Sequence, residues 1–76
     1  MYKISDAKRD FSNGVLRKFR IEKNPMGIGW LIYLGEGKIS GHLVDMRLKQ
    51  PRIFKTADAA INALEEIGFQ VVHLSM

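Results

Sequence analysis

The chain alternates between a helical and a two-residue rhythm of hydrophobic positions. Ile4, Ala7, Lys8 and Phe11 share a face at helical spacing. Ser5 and Asp6 suit a helix start, through a capping oxygen and an acid at the positive end of the dipole, and Asn13-Gly14 suits a left-handed stop. The spacing predicts a short helix from Asp6 to Ser12. From Val15 the period becomes two, with Val15, Phe19 and Ile21 on one side and Leu16, Lys18, Arg20 and Glu22 on the other, while Arg17 points inward against the pattern. This predicts a half-buried strand. Turn residues fill Asn24 to Gly29, and Trp30 to Leu34 is rich in the aromatic and branched side chains that suit a central strand.

Gly35 to Lys38 reads as a hairpin loop and Ile39 to Leu48 as a third strand, with His42, Val44, Met46 and Leu48 facing one way. Gln50-Pro51 interrupts it, and Arg52-Ile53-Phe54 extends briefly toward a second helix. That helix is the most clearly marked element. Thr56 is its N-cap, Asp58 lies in the first turn, Ala57, Ala60, Ile61, Leu64 and Ile67 form one apolar stripe, and Gly68 ends it. Ala57, Ala60 and Ala63 are small enough to let it approach a sheet closely, and Phe69 to Leu74 reads as a final strand. The expected architecture is a single small α+β domain of order αβββαβ, an antiparallel sheet with both helices packed on one face.

Composition narrows the setting. At 76 residues the chain has room for one core and little room for a private active-site cavity. It has no cysteine for a disulfide framework or a thiolate metal site. The longest apolar run, Trp30 to Leu34, is too short to span a membrane, and the first six residues lack the apolar stretch of a secretory signal, so a cytoplasmic protein without membrane partners is expected.

Candidate chemistry is sparse. Neither His42 nor His73 has a second histidine at ligand spacing, and the serines and carboxylates carry no nucleophile motif. Gly27-Ile28-Gly29 and Gly35-Glu36-Gly37 do not lie between a strand and a helix start, where phosphate loops belong. No enzyme activity, cofactor or metal is expected.

Charge is the remaining signal. Twelve Lys and Arg against eight Asp and Glu give a net charge of +4. Arg17, Lys18, Arg20 and Lys23 form one basic run, and Arg47, Lys49, Arg52 and Lys55 form a second that holds no acid, whereas Glu65 and Glu66 concentrate negative charge at the end of the second helix. If the strands bearing them are neighbours, Arg17, Lys18, Arg20, Arg47, Lys49, Arg52 and Lys55 make one surface for nucleic-acid phosphates. The bland reading is that these cations solvate an exposed sheet face and deter edge-to-edge aggregation. Leu16, Leu31 and Tyr33 share the face opposite the expected core, and an apolar patch there marks an interface with a protein partner or a second copy of the chain.

The leading helix, the strand Gly29-Trp30-Leu31-Ile32-Tyr33-Leu34 and the segment Arg52-Ile53-Phe54-Lys55-Thr56-Ala57-Asp58-Ala59-Ala60 through Leu64 to Gly68-Phe69 resemble the small plasmid-borne partition-associated proteins of the ParC type. The resemblance implies a mobile-element origin and a role near DNA maintenance, and carries over no catalytic residue. The element order is also similar to that of double-stranded RNA-binding domains, but the lysine cluster that opens their second helix is replaced here by Thr56-Ala57-Asp58-Ala59-Ala60. The expected function is therefore a non-enzymatic binding module for nucleic acid, the alternative being a protein-interaction domain that dimerises through its exposed sheet face.

Overall fold

The computed structural model describes residues 1–70. Its elements are α1 (Ile4–Ser12), β1 (Phe19–Lys23), β2 (Trp30–Glu36), β3 (Ile39–His42), β4 (Val44–Asp45), β5 (Gln50–Pro51) and α2 (Ala57–Ile67). The order α-β-β-β-β-β-α builds a small α+β domain with an antiparallel sheet β1-β2-β3 and a two-stranded β4-β5 hairpin.

Both helices cover one side of the sheet. Ile32 and Leu34 of β2 are fully buried with Ala7 of α1 and Ala60 and Leu64 of α2, and Phe19, Ile21 and Trp30 pack against the same core. The alanines of α2 bring its backbone close to β2, as their size requires. Thr56 caps α2 by accepting a hydrogen bond from the Ala59 amide at 3.1 Å, and Gly68, at φ 133°, ends it. The chain then turns Phe69 into the core edge-on to Phe11 and Phe19, with ring centroids 4.8 and 4.9 Å apart. The expected last strand lies, from residue 71, outside the described residues.

Three local expectations need correction. Helix α1 begins at Ile4, not Asp6, and Ser5 is inside it. The reason is tertiary: Tyr2 donates to the His42 carbonyl and accepts from the Val44 amide, both at 2.8 Å, so the chain leaves a bridge beside β3 and coils at once.

Leu16 does not face outward from a strand. The amides of Val15 and Leu16 both donate to the Asp10 carbonyl, at 2.8 and 3.0 Å, folding this stretch back under α1. Leu16 is thereby buried in the core and Val15 is left exposed, and β1 begins only at Phe19. Arg17, expected to point inward, is exposed.

The long third strand is also broken. Pairing with β2 lasts from Ile39 to His42; the Leu43 amide then bonds to Ile32, the Leu43 carbonyl accepts from Arg52, and Val44 to Pro51 branch off as a hairpin. The chain rejoins the sheet where Phe54 pairs with Trp30.

Candidate functional site

The open face of the sheet gathers part of the first basic run. Register places Arg20 opposite Tyr33 and Tyr33 opposite His42. The Arg20 guanidinium lies 4.3 Å from the centre of the Tyr33 ring and its Nε donates to Glu22 at 2.9 Å. The other Glu22 oxygen meets His42 Nε2 at 2.9 Å, the His42 ring stands edge-on to Tyr33, and the Tyr33 hydroxyl donates to Ser40 at 2.9 Å. Lys18 is paired with Glu36 at 2.8 Å, and Arg17 Nε donates to the Gly14 carbonyl at 3.2 Å. The face is thus a closed network in which Lys18 and Arg20 each already hold an acid. Leu31 and Tyr33 lie on it half-buried, without Leu16.

The Arg20 hydrogen bond, then that of His42, holds the Glu22 carboxyl below its ordinary range. A carboxyl that titrates lower folded than unfolded adds stability above the ordinary carboxylate range and loses it as pH falls through the folded value. Glu22→Gln is therefore expected to cost about 0.2–1 kcal/mol at neutral pH, the scale of a surface pair. In urea denaturation the two proteins converge as pH falls through the folded value of Glu22.

The second basic run has a different setting. Asp45 accepts the Arg47 and Leu48 amides on one side-chain oxygen, at 2.9 and 3.3 Å, and its carbonyl accepts the Lys49 amide at 2.7 Å. An aspartate at a turn start commonly captures amides in this way. The loop closes through Lys49 at φ 54°, the one non-glycine residue with positive φ among the described residues. The β4-β5 hairpin therefore holds Met46, Arg47, Leu48 and Lys49 on a fixed tip. Arg52 follows on the return limb, its guanidinium 4.8 Å from the Phe54 ring centre, and shares a cleft of about 310 Å³ with Arg47, Met46 and Ile4. Lys55 ends the series just before the Thr56 cap. Arg47, Lys49, Arg52 and Lys55 form no ion pair among the described residues.

Lys18 does not join the second run. The Lys18 carbonyl bonds to Gly35 at one end of β2, and Phe54 pairs with Trp30 at the other. Five residue steps of strand separate these points, about 17 Å at ~3.4 Å per residue, whereas Lys23, opposite Trp30, lies at the Phe54 end.

Apolar side chains surround the second run. Met46 and Leu48 on the tip are 51% and 64% exposed. The β1-β2 loop, braced by Asn24 through its bonds to Met26 and Ile28, carries Met26 at 90% and Ile28 at 88% exposure. Between that loop and the return limb runs a groove of about 230 Å³ lined by Pro25, Met26, Leu31, Pro51 and Ile53.

No group of three or more His, Cys, Asp or Glu among the described residues is placed to hold a metal ion, and no described helix is long and apolar enough to cross a membrane. His42 is engaged with Glu22, and His73 lies outside the described residues.

Asp45, Met46 and Leu48 are the site residues that sequence reasoning missed. The available signal was Asp45 itself, an amide-capturing residue within an otherwise unbroken alternation. Comparison of the chain with protein-family models, curated proteins and solved structures gives no match.

Proposed function

We propose that the chain is a non-enzymatic nucleic-acid-binding module, with Arg47, Lys49, Arg52 and Lys55 as its phosphate contacts. One observation carries this reading: the fixed hairpin and its return limb present four cations with no acid partner among the described residues. Asp45, the acid that precedes them, has one carboxylate oxygen occupied by backbone amides. Arg17, Lys18 and Arg20 support the field of the domain rather than the contact. The resemblance to plasmid partition-associated proteins links the activity to DNA maintenance.

The test is a titration with random-sequence duplex and single-stranded DNA at several salt concentrations. Four phosphate contacts give a slope of log affinity against log salt near −3.6 on a duplex, roughly a 150-fold loss of affinity between 50 and 200 mM salt. Arg52→Ala with Lys55→Ala is expected to halve that slope to about −1.8. Absence of binding at low salt overturns the reading.

A second reading is favoured by the groove beside Met26 and Ile28, whose exposure is the kind that a protein partner or a second copy of the chain covers. Indifference to DNA together with a dimer in light scattering would put this one in its place.

A further inference from the structure

The nucleic-acid reading leaves the apolar half of the hairpin tip unused. Met46 and Leu48 alternate with Arg47 and Lys49, and Leu48 is the more exposed of the two apolar residues. Two features show that the tip is built to a definite shape. Its three amides at Arg47, Leu48 and Lys49 are taken by Asp45, so an exposed loop is held in one conformation. Its closing residue is left-handed, a position where hairpin chemistry favours Gly or Asn, yet a lysine stands there. Backbone strain accepted for a cation at the end of a hairpin points to what that end touches.

We propose that this hairpin enters the minor groove of duplex DNA, with Arg47 and Lys49 on the flanking phosphates and Leu48 wedged between two base pairs, so that binding bends the duplex. This deepens the function proposed above and rests on it. Cations account for phosphate contact but not for a leucine set between them. In the minor groove, where the thymine methyl is out of reach, the apolar surface available to such a side chain is the face of a base, reached by unstacking one step. Apolar wedges inserted from the minor groove kink the duplex by about 20–90° toward the major groove. Arg52 and Lys55 on the return limb meet the phosphates beside the groove whether or not the duplex bends. Pyrimidine–purine steps, which unstack most readily, are the expected sites.

The experiment uses the full chain and a duplex of about 30 bp carrying a fluorophore at each end, with 2-aminopurine at a central TA step in a companion duplex. Binding is expected to raise energy transfer between the ends and to brighten 2-aminopurine. Leu48→Ala, at an exposed position, is expected to abolish both signals while keeping the salt slope near −3.6, because the phosphate contacts remain. Lys49→Gly relaxes the turn and is expected to lower the slope toward about −2.7 while leaving the bend in place. Binding without bending, bending that survives Leu48→Ala, or a preference for single strands overturns the wedge and leaves the nucleic-acid reading standing. No binding to any DNA overturns both.

Discussion

Replacing Gly35 by alanine is expected to remove about 2–5 kcal/mol of stability. Gly35 sits in β2 at φ 83°, bonded through its amide to the Lys18 carbonyl and paired in register with Ser40. An added Cβ would lie on the Ile39 carbonyl oxygen and 3.1 Å from the Ser40 Cα, and both neighbours are backbone of the facing strand. The left-handed conformation costs a non-glycine residue about 1–2 kcal/mol. The clash adds a further ~1–3 kcal/mol, the usual range for an overfilled site, because relief requires the hairpin to open. A chain of 76 residues has a stability of roughly 4–11 kcal/mol at ~0.05–0.15 kcal/mol per residue, so the loss is a large share of the total. Urea denaturation followed by the fluorescence of Trp30 measures it; a midpoint unchanged from that of the parent protein would show that the ribbon yields freely.

Phe54→Ala carries the second large effect, and it separates fold from function. Phe54 is 5% exposed and exchanges two backbone hydrogen bonds with Trp30, at 2.8 and 2.9 Å. It is the rivet that returns the hairpin to the sheet. Truncating a buried phenylalanine costs about 3–5 kcal/mol, from lost transfer energy and the cavity left behind. The return limb bearing Arg52 keeps its two backbone bonds to Trp30 but loses its buried side-chain anchor, and the guanidinium loses the ring beneath it. DNA affinity and stability should therefore fall together in Phe54→Ala, whereas Arg52→Ala should lower affinity with a midpoint close to the parent's. Equal loss of stability in both variants would place Arg52 among the structural residues.

What the sequence reveals of this molecule divides by range. Helix α2 is legible because its signals are local: the Thr56 oxygen reaches an amide three residues ahead, the apolar stripe has its own period, and Gly68 stops it. Leu16 is misread because alternation says nothing about whether a strand has begun, and the bonds that fold it back go to Asp10, in the preceding helix. The hairpin is misread for a related reason. His42, Val44, Met46 and Leu48 keep a period of two straight through a turn, since nothing in the alternation registers that the Asp45 side chain has captured the backbone. For the candidate site, the cluster Arg47, Lys49, Arg52 and Lys55 is legible as a basic run that holds no acid. Its distance from Lys18 is not, because that depends on which end of β2 each meets.

The Asp45 turn has a consequence for association. Loops that grasp a ligand commonly lose conformational freedom as they do so, and each ordered residue then subtracts about 1–2 kcal/mol from the affinity. Here the loop from Met46 to Lys49 is already ordered at folding by three bonds to one aspartate. A partner meeting the tip finds a body with little entropy left to lose. Complex formation is then governed by encounter and by deformation of the partner, and Asp45, which touches no partner in this account, sets how fast and how tightly the tip engages.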